Sequence, residues 1–417
     1  MVRVQHGSDI LDLDVPLKNL AFDLRPAKIQ SAVDEHDEIK RSLMEPFGCG
    51  RLRDIVPHDA SVVILGDDRT RMTPQHRIIP VVLEELHAAG IHNDRIKILI
   101  AYGTHRAMTS DEVADKYGRD VVADIEILHH DCLRHDNLTD MGVTRRGTRI
   151  FVNREYLEAD FRIGIGSVIP HYPTGWSGGA KILLPGVAGQ ATIYTMHLLG
   201  ISEQALGQET SPVREEMEDF AKEVGLHFIV NVIHDERGNI VRSFAGHFVR
   251  AHREAVRFGM GVYGAPFREK ADITLSSTYP IDFDLTQSSK GFFSAELATK
   301  PGGEIILLSP CHEGIAPTHG EEMARLARYD SDTLVSMLEN GQVDDPLSAT
   351  ECMYYNIIKK NFRTTVTMDP ETSTILGFHH LSPGELSEYI KRRLKRDDTL
   401  TIGIINQSTD VLPLQTS

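Results

Sequence analysis

Two histidines stand directly after apolar runs of strand length, where α/β proteins place their ligand-binding groups. His105 follows the run that ends at Ala101, and His171 follows the run that ends at Ile169. An imidazole titrates near neutrality, so a histidine at the end of a strand can take up and release a proton during a reaction. Because the chain contains 20 histidines, either one taken alone fits a surface or helix-capping role equally well.

The densest group of chemically capable side chains lies between residues 166 and 186. This segment contains Trp176, the only tryptophan of the chain, and the run Gly178-Gly179-Ala180-Lys181. Glycines let backbone amides approach an anion such as a phosphate. Lys181 then acts either as a point charge on that phosphate or as a covalent anchor for a cofactor. The P-loop pattern is absent, and we interpret the segment as a functional loop and not as a purely structural turn.

Cationic side chains in two further segments are suited to binding an acid. Asp68 and Arg71 lie in the turn of residues 66–74, which carries two aspartates and two arginines before a predicted helix. An arginine there can bind a carboxylate with two parallel hydrogen bonds, and a solvated charged loop is the competing interpretation. Gln287 and Lys290 open another predicted helix. A lysine in a first turn opposes the helix dipole, which favours a contact with an acidic ligand.

Other histidines and cysteines give weaker indications. His197 lies in an apolar, helical context, which is typical of a histidine in a protein core. His129 and His130 directly follow the predicted strand 125–128, and adjacent residues in extended backbone point to opposite faces, so we leave both without a role. The run Cys311-His312-Glu313 suggests a metal site, a nucleophile or a supporting loop. The four cysteines form no CxxC pair, which argues against a disulfide framework and a structural zinc site.

Charge and hydropathy exclude several classes of partner. The net charge is −16 at pH 7, and an acidic surface repels the phosphates of nucleic acids. No apolar run reaches the length of a membrane span, and the first 14 residues lack the apolar core of a signal peptide. We therefore expect a cytoplasmic protein that binds a small molecule, and neither nucleic acid nor membrane. A small anionic substrate would need cations lining its pocket.

Apolar runs alternate with helical periodicity along most of the chain, which predicts an α/β protein with mostly parallel sheets. The predicted strands are 61–65, 95–101, 125–128, 161–169, 227–233, 272–276, 304–308 and 400–405, and the predicted helices are 76–89, 111–117, 288–298 and 382–395. A chain of 417 residues is expected to form two domains. We place an α/β domain with the cofactor and acid–base residues at 1–268. A second α/β domain, 269–417, should close an active-site cleft between the two, with the last strand in either domain.

Taken together, these segments resemble the lactate racemase family that uses a nickel-pincer nucleotide. The blocks that carry the resemblance occur in the family's order, and no single block is specific by itself. They are 68–74, 103–106, Pro170-His171, 175–181, His197, and Gln287 with Lys290.

The resemblance implies a racemase or epimerase that inverts C2 of lactate or a larger 2-hydroxy acid by reversible hydride transfer. Its cofactor is pyridinium-3,5-bisthiocarboxylic acid mononucleotide, in which two sulfurs and a carbon hold nickel. Lys181 matches the lysine that is joined covalently to this cofactor. His197 matches the histidine that completes the nickel coordination, and imidazole suits this metal. The enzymes that mature the cofactor are then expected partners.

The resemblance also implies roles around the substrate. His105 and His171 match an acid–base pair, with one histidine for each face of the substrate. Arg71 and Lys290 match positions that hold the substrate carboxylate, and Gln287 matches a polar residue that binds the substrate.

Three more residues, Asp68, Gly178 and Gly179, are expected around the cofactor. Trp176 stands where family members often carry phenylalanine, and its larger ring is expected to reshape the substrate pocket. Two other functions fit the same residues without the resemblance. One is a hydrolase or transferase that uses a different metal in a histidine-rich cleft, and the other is a non-catalytic binder of a phosphorylated small molecule. A covalent adduct on protein made beside the maturation enzymes would favour the racemase.

Overall fold

Two six-stranded β-sheets organise the chain in a computed structural model that describes residues 2–201 and 203–416. The strands, in chain order, are β1 (Val2–His6), β2 (Asp9–Leu13), β3 (Leu20–Leu24), β4 (Val62–Asp67), β5 (Ile96–Ala101), β6 (Glu126–His129), β7 (Leu138–Val143), β8 (Arg149–Asn153), β9 (Phe161–Ser167), β10 (Pro170–His171), β11 (Gly175–Trp176), β12 (Phe228–His234), β13 (Ile240–Gly246), β14 (Gly264–Phe267), β15 (Ala271–Ser277), β16 (Thr299–Leu308), β17 (Arg363–Val366), β18 (His379–His380), β19 (Ile402–Ile405) and β20 (Leu412–Gln415).

The α-helices fill most of the connections between these strands. They are α1 (Glu35–Met44), α2 (Leu52–Ile55), α3 (Gln75–Ala88), α4 (Ser110–Tyr117), α5 (Arg119–Asp124), α6 (Arg154–Glu158), α7 (Gln190–Gly200), α8 (Pro212–Val224), α9 (Arg250–Tyr263), α10 (Leu285–Ser288), α11 (Lys290–Ala298), α12 (Gly320–Leu326), α13 (Ser331–Glu339), α14 (Pro346–Asn361), α15 (Pro370–Ile375) and α16 (Leu386–Arg396).

Contacts divide the chain into two units, and the division differs from the expected domains 1–268 and 269–417. Unit 1 comprises the described residues up to Ala27, Pro170–Tyr172, and those from Tyr263 onward. Unit 2 comprises the described residues of 28–169 and 173–262. The N-terminal strands join the C-terminal part of the chain because β3 pairs in parallel with β19. The last strand, β20, pairs in parallel with β14 in the same unit.

The sheet of unit 2 has the strand order β13-β12-β9-β4-β5-β6. All its pairs are parallel except β12 with β13. Every residue of β4 is buried, as expected for a central parallel strand covered on both faces. Since β9, β4 and β5 are parallel neighbours, their carboxyl ends meet at one edge of the sheet, and the loops that follow them are brought together there.

The sheet of unit 1 has the strand order β18-β17-β16-β15-β19-β3, and all its pairs are parallel. Buried isoleucines and leucines from β15, β16 and β19 form its core with residues of the N-terminal hairpin β1–β2. The predicted fold class, α/β with mostly parallel sheets, is confirmed. Within the described residues, no helix has the length and apolar character needed to cross a bilayer.

Candidate active site

The loop that follows β4 is closed by hydrogen bonds to Asp68. This residue is buried, with 2% of its surface exposed. Its Oδ1 accepts hydrogen bonds from the Thr70 amide at 2.9 Å and from Thr70 Oγ1 at 2.5 Å. Arg71 Nη1 donates in turn to Thr70 Oγ1 at 2.8 Å and to the Thr70 carbonyl at 3.0 Å. The charged turn predicted from the sequence is therefore an ordered loop that holds the Arg71 guanidinium in place.

His105 is hydrogen-bonded to the same loop. Its Nδ1 lies 2.7 Å from Asp68 Oδ2. An ionised carboxylate only accepts hydrogen bonds, so Nδ1 carries the hydrogen, and in the neutral ring Nε2 is the basic nitrogen. Burial opposes ionisation of Asp68, but the charge and hydrogen bond of His105, together with the charge of Arg71, hold the pKa of this carboxyl well below its usual value. The pair is suited to general acid–base chemistry.

A second buried aspartate, Asp67, ties this loop to the sheet. Its carboxylate accepts hydrogen bonds from Thr73 Oγ1 and from Gln75 Nε2, the latter at 3.0 Å. Lys116 Nζ, on α4, lies 3.2 Å from the same carboxylate and donates to the Arg71 carbonyl at 2.5 Å. The backbone on both sides of Arg71 is thus anchored to β4, α3 and α4.

The glycine-rich segment rests on buried polar side chains that sequence reasoning missed. Arg214, on α8, is fully buried and donates to the carbonyl of Gly178 at 3.1 Å and to that of Trp176. Asn231, on β12, accepts a hydrogen bond from the Gly179 amide at 2.9 Å. A buried arginine or asparagine needs such partners. For Asn231, a polar residue inside the apolar run of β12 was the signal that could have found it. Arg214 lies in a helix rich in charged residues, where the sequence gives no such signal.

His252, on α9, is the third support and explains one of the two glycines. Its Nε2 donates to the Ser177 carbonyl at 2.8 Å. Burial, together with the charges of Arg214 and Arg253, holds the pKa of His252 well below its usual value, so the ring is neutral. A Cβ on Gly179, whose φ is +58°, would lie 2.9 Å from His252 Cγ. Glycine is therefore required at this position by the backbone conformation and by packing.

The glycine-rich segment, which Arg214, Asn231 and His252 hold in place, contains Lys181 and precedes α7, the helix of His197. Lys181 lies in the 3-10 turn Gly179–Ile182, and His197 lies in α7. Both side chains are partly exposed. Trp176, in contrast, is fully buried, and its indole N–H donates to the Gly207 carbonyl at 3.0 Å. The glycine-rich segment therefore carries a primary amine on a loop that buried residues hold in place, and an imidazole follows it on α7.

The remaining predicted residues belong to unit 1. Lys290 Nζ donates to Gln287 Oε1 at 2.6 Å, which joins the two predicted substrate residues directly. His171 lies in β10 and precedes Tyr172, whose ring stacks on Phe293 with centroids 3.8 Å apart. In unit 2, the hydrogen bonds described above join Asp68 to His105 directly and to Arg71 through Thr70.

Several residues that the sequence left open have structural partners. His129 Nδ1 lies 2.8 Å from the Tyr102 hydroxyl. His130 Nε2 donates to the Ala188 carbonyl at 3.0 Å. Burial raises the pKa of the Cys311 thiol to about 12, which argues against a nucleophilic role because the thiolate is the reactive form.

Comparison with known proteins identifies the family. Residues 6–208 match the lactate racemase N-terminal domain, and residues 267–346 match the lactate racemase C-terminal domain. The lactate racemase of Thermoanaerobacterium thermosaccharolyticum is 32% identical over 329 residues, which are 77% of this chain and 76% of that protein. The lactate racemase of Lactiplantibacillus plantarum is 32% identical over 302 residues, 71% of this chain and 70% of that protein.

Solved structures agree with these matches. The lactate racemase apoprotein from Thermoanaerobacterium thermosaccharolyticum has a TM-score of 0.88 at 29% identity, covering 99% of this chain and 100% of that chain. A protein from Thermotoga maritima, 18% identical, has a TM-score of 0.73 over 94% of this chain and 100% of its own, and shares the fold. The chain therefore belongs to the lactate racemase family, a family of isomerases.

Proposed function

We propose that this protein is a racemase that inverts C2 of lactate or a larger 2-hydroxy acid, using a nickel-pincer pyridinium nucleotide joined to Lys181. The observation that carries the proposal is the pair of His105 and Asp68. A buried carboxylate 2.7 Å from Nδ1 makes Nε2 the basic nitrogen of an imidazole at the end of a strand. A reaction that moves a hydroxyl proton at each turnover needs such a base, and the curated relatives are named lactate racemases.

The residues present fit the cofactor. The Lys181 amine could be joined to one thiocarboxyl arm as a thioamide, with loss of water and retention of the sulfur, and the His197 imidazole is a donor that suits nickel. Both side chains are partly exposed on one unit, and Arg214, Asn231 and His252 hold the loop before them. When bound, this cofactor would supply a reversible hydride acceptor for the C2 centre. Gly178 and Gly179 stay predicted neighbours of the cofactor.

The histidines manage the hydroxyl proton. On one face of the substrate, His105 Nε2 takes this proton while the C2–H bond breaks with its electron pair, which leaves a 2-oxo acid. Asp68 then stabilises the imidazolium that forms. When hydride is added to the opposite face, His171 gives a proton to the oxygen. The reverse reaction exchanges the two roles, so both enantiomers are substrates.

Charged and polar side chains hold the substrate. We assign the carboxylate to Arg71 and Lys290 and a polar contact to Gln287, which also orients the lysine through its 2.6 Å hydrogen bond. Asp68 keeps its predicted place near the cofactor in addition to its contact with His105. Trp176 keeps its predicted effect on the pocket, and since its side chain is fully buried, it would act through the loop that carries it and not by touching the substrate.

Maturation in the presence of the cofactor-making enzymes tests the proposal. The intact mass of the protein should rise by one covalent cofactor, and chiral chromatography should detect L-lactate from D-lactate and the reverse. Lys181→Ala should lose the added mass and the activity together. Lys222→Ala, at an exposed lysine of α8, is the matched control and should keep both. Added mass on the Lys181 variant, or no racemisation of any 2-hydroxy acid by loaded protein, would refute the proposal.

A further inference from the structure

Three aromatic rings of unit 1 pack together beside the predicted substrate residues. Tyr172 stacks on Phe293 with ring centroids 3.8 Å apart and meets Tyr354 edge-on at 5.6 Å. The rings of Phe293 and Tyr354 are 5.9 Å apart. Tyr172 follows His171 in the chain, and Phe293 lies three residues after Lys290 on α11. This aromatic trio therefore adjoins residues that we expect to handle the substrate.

Glu351, like Lys290, lies three residues before an aromatic residue of the trio on the same helix. It lies three residues before Tyr354 on α14, and residues three apart share one face of a helix. Glu351 is partly exposed, and its carboxyl group interacts electrostatically with the Lys290 ammonium. The two helices thus bring a carboxyl group near the lysine that we expect to bind the substrate's own carboxylate.

A histidine–aspartate pair lies at the start of α14, the helix that carries Glu351. His319 Nδ1 lies 2.6 Å from Asp345 Oδ2, and the two side chains are 12% and 17% exposed. Asp345 caps α14, the helix of Glu351, and accepts a hydrogen bond from Ser348 Oγ at 2.5 Å. His319 Nε2 is buried and has no hydrogen-bond partner within residues 2–201 and 203–416, and the His319 side chain interacts electrostatically with Glu351. A buried polar atom of this kind calls for a functional explanation.

We propose that Glu351 is a specificity-determining residue that binds a hydroxyl group carried by the substrate beyond C2, with the His319–Asp345 pair positioning it. The inference rests on the proposed function, because it takes the substrate to be a 2-hydroxy acid whose carboxylate meets Lys290. Burial raises the pKa of Glu351 to about 7. The acids Asp284 and Asp345 also raise this pKa, whereas His319 and Lys290 lower it. A carboxyl group that is partly protonated near neutral pH can both donate to a hydroxyl and accept from it.

The charges around Glu351 favour a substrate hydroxyl over a second substrate carboxylate at this position. Glu351 interacts electrostatically with two other acids, Asp284 and Asp345, and with two basic side chains, Lys290 and His319. Since Lys290 is assigned to the carboxylate at C1, a second carboxylate would meet mainly acidic groups. A methyl group, as in lactate, would offer Glu351 no hydrogen bond. The substrate class that fits is a 2-hydroxy acid with a hydroxyl at C3 or beyond.

Two acids of nearly equal shape test this assignment. Glycerate and 2-hydroxybutanoate differ only in a terminal hydroxyl in place of a methyl group. We expect the cofactor-loaded enzyme to racemise glycerate with kcat/KM about 10- to 100-fold above that of 2-hydroxybutanoate. Measured in one mixture, this ratio is independent of the active fraction of the enzyme. A ratio within about threefold of unity would overturn the inference.

Variants of Glu351 assign the preference to this side chain. Glu351→Leu should bring the ratio to unity or below, because leucine has similar volume and no hydrogen-bonding group. Glu351→Gln should retain most of the preference, since an amide also donates and accepts. Glu321→Leu, at an exposed glutamate of α12, is the control and should leave the ratio unchanged. If the Glu351→Leu enzyme keeps the wild-type ratio, another residue recognises the hydroxyl.

A second readout does not depend on turnover. In protein with ¹³C-labelled histidine, assigned with a His319→Gln variant, the ring resonance of His319 should shift when glycerate is added. It should shift much less with 2-hydroxybutanoate. If loaded protein racemises no 2-hydroxy acid, the proposed function fails, and the glycerate-specific shift still decides for or against a hydroxyl site at Glu351.

Discussion

Replacing Asp68 with asparagine tests the His105–Asp68 pair with a minimal change in shape. Oδ1 of Asp68 accepts two hydrogen bonds from Thr70, and Oδ2 faces His105 Nδ1. In the Asp68→Asn variant, the amide oxygen must take the Oδ1 position, because both Thr70 groups are donors. The NH₂ group then faces Nδ1 and donates to it. The neutral imidazole is forced into the other tautomer, and Nε2 carries a hydrogen and ceases to be a base.

The size of the effect follows from what is lost. A charge-assisted hydrogen bond contributes about 1.5–3 kcal/mol, which corresponds to a rate factor of about 10 to 150. Reversal of the tautomer adds to this loss, and the equivalent change in serine proteases lowers kcat by about 10⁴. We therefore expect kcat to fall between about 10² and 10⁴. The shape of the side chain and both Thr70 hydrogen bonds are retained, so the thermal midpoint should stay close to the wild-type value.

Chiral chromatography of the acid, starting from each enantiomer, measures kcat for the loaded enzyme, and differential scanning calorimetry measures the thermal midpoint. Asp111→Asn, at an exposed aspartate of α4, is the control and should match the wild type in both. A loss of less than about fivefold in kcat would mean that Asp68 does not fix the tautomer of a catalytic histidine. A collapse of the midpoint would show instead that the loop had unfolded.

Two further changes test the cofactor loop. His197→Ala should lose nickel, measured by elemental analysis, while the organic adduct on Lys181 remains in the intact mass; full nickel content would return His197 to a structural role. Gly179→Ala should lower the free energy of unfolding by about 1–3 kcal/mol in a urea titration, because its Cβ would meet His252. Gly147→Ala, also at positive φ but with open space around the Cβ, should cost less, and an equal cost would contradict the packing argument.

Local patterns predicted the parts of the site that each segment makes for itself. The apolar run of β4 was predicted at 61–65 and lies at Val62–Asp67. The charged turn after it was predicted from its residue types alone. The run before His105 was predicted with similar bounds. Because such a strand is buried on both faces, its residues are continuously apolar, and its end is marked by the first polar side chains.

Contacts between distant segments could not be predicted in this way. β3 pairs with β19, so Leu24 lies opposite Ile405, and no local periodicity indicates a partner so far along the chain. The residues that support the glycine-rich loop come from α8, β12 and α9, and no one of these elements alone indicates which backbone its polar residue contacts. Only the tertiary fold brings Arg214 and Asn231 to the same backbone.

The stability of the Glu351→Gln variant should depend on pH in a direction that the structure fixes. In the folded chain, burial raises the pKa of Glu351 from its ordinary value of 4.5 to about 7. Between these two values the folded chain holds a proton that the unfolded chain has released. The free energy of unfolding of the wild type therefore falls as the pH rises through this window, by at most about 1.4 kcal/mol per pH unit from this group. Above the window, both states are ionised and the difference is constant.

Glutamine does not titrate, so the variant lacks this loss. Its free energy of unfolding relative to the wild type should rise from pH 4.5 to pH 7 and then level off. Urea titrations of both proteins across this range measure the difference, with Glu321→Gln as the exposed control whose difference should stay flat. If the wild-type and Glu351→Gln curves run parallel, Glu351 is ionised in the folded protein at neutral pH. It then cannot donate a hydrogen bond to a substrate hydroxyl and could recognise glycerate only by accepting one.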